Sequence, residues 1–192
     1  MKLSIFTRGI YINRSRFRGS VVQSNTFTNC HVGLYANSPI DLDINDNLFT
    51  LGSLPITYPS EYSQPSFVQI GAWVENKIPT LLFERNDFIG KPNKSLIQVG
   101  SLAKNLGSIS HVFRFNYYKG TNIGNLANGK NGDDDLGLHY LCNVNDPNTI
   151  QNYDFCVVSD ASIRTTQSFF DAITNEDFGA ANVFSYSNGN NG

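Results

Sequence analysis

In this 192-residue chain the residues best suited to chemistry are a few carboxylates, a run of alternating arginines and a set of aromatic rings. Asp41 and Asp43 alternate along IDLDIND. Carboxylates two residues apart on a strand lie about 7 Å from each other, a separation that suits the paired acids of glycoside hydrolysis. Asp87 and a basic residue such as Arg85 or Arg114 complete the catalytic candidates, which would serve hydrolysis or elimination on a polysaccharide. Asp41, Asp43 and Asp46 also begin like a calcium loop. That reading fails, because the loop glycine is missing, the twelfth position is Gly52 rather than Glu, and the Leu and Ile spacers read as strand. Asp133 to Asp135 lie in the polar stretch NLANGKNGDDD and read as a solvated loop. No metal site and no cofactor are expected. His31, His111 and His139 are dispersed, with no adjacent Ser or Cys motif to mark a nucleophile and its base. Cys30, Cys142 and Cys156 form neither a paired framework nor a metal-ligand spacing, and read as small apolar residues.

A second group of residues points to binding. Tyr11, Tyr35 and Trp73 each stand two positions after a glycine. If their neighbours on the strand face inward, alternation sets these rings outside in one file, a platform on which sugar rings could stack. Arg14, Arg16 and Arg18 alternate in a region without acids and could contact carboxylated or sulfated glycans. The first 40 residues carry five basic and no acidic side chains, while the rest carry 9 basic and 16 acidic, so +5 and −7 sum to the net charge of −2. Tyr58 and Tyr62 lie in a proline-containing connection, TLGSLPITYPSEYSQPSFVQIG, of the kind that often forms a recognition surface. No recognised nucleic-acid module accompanies the charges, so nucleic acid is not an expected partner.

The elements that must position these residues are short strands. There are 24 Asn, 16 Gly and 14 Phe but one Met, a composition suited to tight turns and strands. Only 16% of residues are charged and 12% are aromatic, which argues against a disordered segment or a coiled coil. Four segments share a leading Gly, an apolar strand, and a second strand ending in Asn-x-aromatic. They run from Gly9 to Phe27, Gly33 to Phe49, Gly71 to Phe88 and Gly100 to Tyr118, with offsets of 18, 16, 17 and 18. The connections between them vary, so insertions gather at one corner. Units of this size cannot bury their own apolar face and must stack on their neighbours. Asn25, Asn47, Asn86 and Asn116 then form a turn ladder, and Phe27, Phe49, Phe88 and Tyr118 an aromatic column. Leu42, Ile44, Leu81 and Phe83 read as the buried side of strands whose Asp41, Asp43 and Glu84 face solvent. The whole chain reads as one all-β domain over 1–192, clearest over 9–118, less regular over 119–185, with a tail at 186–192.

The Asn-x-aromatic turns with GIYI-like strands resemble the right-handed parallel β-helix, or pectin-lyase-like, superfamily. GLHYLCN, NYDFCV and AANVFS are similar to segments of large cell-surface or secreted β-helix proteins of Bacteroidota. The resemblance implies a solenoid, an extracellular or cell-surface location, and further rungs in a longer parent chain. No secretory signal follows Met1 and no apolar run reaches the length of a membrane span, so the chain is expected to be a fragment without a span. The functional expectation is a non-catalytic surface or adhesion segment that contacts extracellular polysaccharide. The alternative is a polysaccharide lyase or glycoside hydrolase on the same scaffold.

Overall fold

The computed structural model describes residues 2–4, 8–52, 68–91, 96–133, 135–146, 153–158, 160–165, 167, 169–171 and 176–183. Glycine and Asn-rich turns cut the sequence into short apolar segments, and these become strands. Strand β1 (Lys2–Ser4) is followed by repeating triplets: β2 (Arg8–Asn13), β3 (Ser20–Gln23), β4 (Thr26–Thr28), then β5 (Val32–Asn37), β6 (Asp41–Asn45), β7 (Leu48–Thr50). The next triplets are β8 (Val68–Glu75), β9 (Thr80–Glu84), β10 (Asp87–Ile89), and β11 (Ile97–Lys104), β12 (His111–Arg114), β13 (Tyr117–Lys119). The last is β14 (Ile123–Asn128), β15 (Leu138–Leu141), β16 (Val144–Asn145), after which come β17 (Tyr153–Val157) and an antiparallel pair, β18 (Phe169–Asp171) and β19 (Glu176–Phe178).

Each triplet gives one strand to each of three parallel sheets. Sheet A runs β1-β4-β7-β10-β13-β16, sheet B β2-β5-β8-β11-β14-β17 and sheet C β3-β6-β9-β12-β15. The fold is thus all-β, with no helix among the described residues, and its parallel sheets are compatible with a parallel β-helix.

Register places like residues above one another. Phe27, Phe49, Phe88 and Tyr118 pair in sequence along sheet A, with ring centroids 4.7, 4.8 and 5.0 Å apart and planes within 6°. Those spacings match the strand separation in a sheet, so each ring stacks without leaving its backbone register. Along sheet C, Val22, Ile44, Phe83, Phe113 and Tyr140 form a second buried column. Leu34, Ala36, Ala72 and Val74 of sheet B close the same core, with Ile10 and Ile12 partly buried against it.

The corner between sheets C and A is built the same way six times. Ser24, Asp46, Arg85, Phe115, Cys142 and Ala181 all adopt left-handed backbone with φ of 49–57°. Each precedes an Asn. The carboxamide Oδ1 of Asn47, Asn86, Asn116, Asn143 and Asn182 accepts both the backbone N–H and the Nδ2 of the Asn before it in the column, at 3.0–3.2 Å. Each Nδ2 from Asn47 onward also donates to a strand carbonyl, such as Val22 O from Asn47 and Tyr140 O from Asn182. This side-chain ladder runs beside backbone bonds at the same corner, such as Asp87 N to Asn47 O at 2.8 Å and Tyr117 N to Asn86 O at 2.9 Å.

The leading glycines have a steric reason. A Cβ on Gly71 would sit 2.6 Å from Gly100 O and 2.6 Å from Phe88 Cδ1, and Gly9, Gly33 and Gly100 are crowded in the same way. The stacked ring lies across the strand there, leaving no room for a side chain.

Candidate functional site

The catalytic candidates fall on two sheets. Asp41 and Asp43 lie on β6 of sheet C, whereas Asp87 lies on β10 of sheet A. Asp41 Oδ2 accepts a hydrogen bond from Gly19 N at 2.9 Å. Burial, and then the negative charges of Asp41 and Glu84, push the Asp43 carboxyl above its ordinary range. Burial also raises Asp87.

The arginines are used elsewhere. Arg85 Nε donates to Asp46 Oδ1 at 2.8 Å and its Nη1 pairs with Glu84, while Arg114 Nε donates to Glu84 Oε2 at 2.7 Å. Gln23 Nε2 adds a bond to Asp46 Oδ2 at 3.1 Å. Hydrogen bonds from Arg85 and then Gln23 hold Asp46 below the usual carboxylate range. Glu84 is therefore a buried hub beneath two arginines, not the solvent-facing residue its alternation predicts. The network spans successive rungs and ties sheet C together.

The aromatic file is only partly open. Tyr11, Tyr35 and Trp73 share one register column on the face of sheet B opposite the core. Tyr11 is 51% exposed and stacks on Tyr35 at 5.2 Å and 7°. Tyr35 and Trp73, however, are only 9% and 7% exposed, packed into a second apolar cluster with Val32, Ile70, Val99 and Leu102. The expected open platform is corrected to a single open ring. The physical reason is a change of phase at the glycine: Val32 and Tyr35 both join the outer cluster although they are three residues apart, so the outer face is apolar at two positions per strand. Tyr35 Oη also bonds Glu75, and Lys104 Nζ lies 5.6 Å from the Trp73 ring centre and 4.0 Å from Glu75 Oε2.

Arg14, Arg16 and Arg18 are exposed around the first corner after sheet B, together with Phe17, which is 81% exposed. Tyr58 and Tyr62 lie outside the described residues. Cys30 is buried and Cys142 and Cys156 half-buried, none of them in a disulfide. Among the described residues no group of three or more His, Cys, Asp or Glu could hold a metal ion, and no helix is long and apolar enough to cross a membrane.

One feature escaped the sequence reading: a cavity of about 310 Å³ at the last rung, lined by residues that include Asn125, Tyr140, Asn145, Asp154, Phe155 and Gln167. Its position follows from register. Asn145 pairs with Tyr118 and so continues the column of Phe27, Phe49 and Phe88, while Asn125 continues the column of Leu34, Ala72 and Ser101. Gln167 bridges the free edge of β15, accepting from Tyr140 N at 2.9 Å and donating to Leu138 O at 3.1 Å. The only sequence signal was that Asn143-x-Asn145 breaks the Asn-x-aromatic rule.

Set beside known proteins, the chain matches no family model, no curated protein and no solved structure. Its geometry alone carries the functional reading.

Proposed function

We propose that the chain is a right-handed parallel β-helix segment of a cell-surface or secreted protein, non-catalytic, that contacts extracellular polysaccharide through its first rungs. The observation that carries this reading is the exposure of Tyr11 and Phe17 and of Arg14, Arg16 and Arg18 within the one segment 11–18. An aromatic face with flanking guanidinium groups complements a polymer that offers apolar ring faces and carboxylate or sulfate groups.

The non-catalytic part of the reading is supported by the pairing of Arg85 and Arg114 with Asp46 and Glu84, which leaves those arginines tied to carboxylates. A glycan array containing uronate and sulfated polymers, followed by a uronate-release assay, tests both parts. The expected result is binding without turnover, reduced at least tenfold when Arg14, Arg16 and Arg18 are replaced by Ala. Turnover of any bound polymer would replace this reading with a polysaccharide lyase or glycoside hydrolase, and failure to bind any anionic polymer would remove it.

A further inference from the structure

Residues 160–165 and Gln167 form a strap along the last rung. At one end Ser162 bridges to Lys130: its N–H donates to Gly129 O at 3.0 Å, its carbonyl accepts from Asn131 N at 2.9 Å, and its Oγ donates to Gly132 O at 2.8 Å. At the other end Gln167 covers the edge of β15 by its bonds to Tyr140 N and Leu138 O. Arg164 joins the two, because Gln167 Nε2 also donates to Arg164 O at 2.6 Å.

What holds the Arg164 side chain is unusual. Its Nη1 lies 2.5 Å from His139 Nε2, and its Nε has no hydrogen-bond partner. A guanidinium can only donate, so Nε2 is the acceptor and the imidazole carries its one proton on Nδ1. Tyr140 faces the core, and alternation therefore turns His139 to the outer face of sheet C, yet His139 is only 4% exposed. The surroundings offer nothing to offset a charge on it. On β12 the apolar Val112 pairs with His139, and Arg114 is bound to Glu84. The connection before β15 presents Lys130, Asp133 and Asp135 to solvent. Arg164 is the charged group in contact, and it carries the wrong sign.

We propose that His139 is a proton-sensitive latch: a proton taken from solvent onto Nε2 replaces the acceptor facing Arg164 with a second cation, releases Arg164 and Gln167, and uncovers Leu138 O and Tyr140 N at the edge of sheet C. The direction follows from linkage. Burial, and then the Arg164 charge, hold the His139 pKa below its ordinary value of 6.5 while the strap is seated, and release removes both effects. The latch is therefore at full strength above about pH 6.5 and weakens as pH falls from there. The uncovered strand edge would be open to pairing with another strand. This device is independent of the polysaccharide reading, which concerns the first rungs.

The test is hydrogen exchange on the full chain from pH 7 to 5, corrected for the intrinsic pH dependence of exchange. Ser162 and Tyr140 report on the strap, and Asp87 and Tyr117 serve as reference amides in the middle of the stack. Opening at the two strap amides is expected to rise roughly fivefold to tenfold over that range, as uptake of one proton gives, and to exceed opening at the reference amides at every pH. His139→Gln keeps an acceptor but takes up no proton, and it is expected to flatten the strap's response. Imidazole nitrogen NMR of the parent chain is expected to show the Nδ1–H form at pH 7. The proposal is overturned if strap opening does not change with pH, if the change persists in His139→Gln, if the strap opens no more readily than the reference amides, or if the neutral ring carries its proton on Nε2. Should His139→Gln fail to fold, the parent's exchange profile and ring tautomer decide.

Discussion

The carboxamide oxygen of Asn116 accepts two hydrogen bonds from Asn86, one from its backbone N–H at 3.0 Å and one from its Nδ2 at 3.1 Å. Asn86 in turn serves Asn47 in the same way and donates to Ile44 O. A single side chain therefore connects three rungs, beside the backbone bonds that Asn47 O and Asn86 O accept from Asp87 N and Tyr117 N.

Replacing Asn86 by Ala removes the acceptor of Asn47 N–H and the side-chain donor to Ile44 O and Asn116 Oδ1, while Asn47 Nδ2 keeps Val22 O and Asn45 O. At about 1–3 kcal/mol for each buried unsatisfied group, partly relieved by water, the loss is expected to be on the order of 3 kcal/mol. Asn25→Ala, at the half-buried first position, is expected to lose about 1 kcal/mol. Urea unfolding monitored by circular dichroism compares them, and equal losses would contradict a ladder that is strongest in its middle.

Gly71→Ala is expected to destabilise by about 2–3 kcal/mol, because the new methyl meets Gly100 O and the Phe88 ring inside van der Waals distance. Gly179→Ala is the control: nothing lies within 4 Å of its Cβ position, so a change within about 0.5 kcal/mol is expected. Thermal unfolding of the two variants gives the comparison. A tolerated Gly71→Ala would show that the ring column can shift aside.

His111 sits in a leucine column. It pairs with Leu138, its neighbour Val112 pairs with Leu82, and neither of its ring nitrogens has a hydrogen-bond partner. Burial lowers its pKa to about 4. The unfolded chain then binds this proton more readily than the folded one, so its effect on stability is constant above about pH 6.5 and is a loss as pH falls from there toward 4. The loss approaches about 3 kcal/mol at the acid end. His111→Leu is expected to remove that part of the slope, measured as the difference between variant and parent unfolding free energies from pH 7 to 4. A pH-independent difference would sink the assignment.

Trp73 is the sole tryptophan, so intrinsic fluorescence reports on the outer face of sheet B alone. With 7% exposure its emission is expected to be blue-shifted from that of free tryptophan, and acrylamide is expected to quench it weakly. Red-shifted, readily quenched emission that changes on adding soluble glycans would restore the open aromatic platform.

What could be read from sequence was whatever repeats. The glycine and the Asn-x-aromatic turn recur at nearly constant spacing, and Asn25, Asn47, Asn86 and Asn116 do lie in one hydrogen-bonded column over Phe27, Phe49, Phe88 and Tyr118. What could not be read depends on neighbours supplied from elsewhere. Alternation says which face Tyr35 and Trp73 occupy but not that this face is itself packed. The Arg85–Asp46 pair joins residues 39 apart across the longest insertion, so no local spacing reveals it. Asn143-x-Asn145 falls outside the Asn-x-aromatic pattern because that pattern requires an aromatic, although the corner Asn is kept and only the position paired with Tyr118 has changed.

Every parallel pairing joins a strand to the triplet immediately before or after its own. Traction applied to the two termini would then load these contacts in series. Extension is expected to proceed as stepwise peeling from an edge, with tension history written as how many triplets have detached.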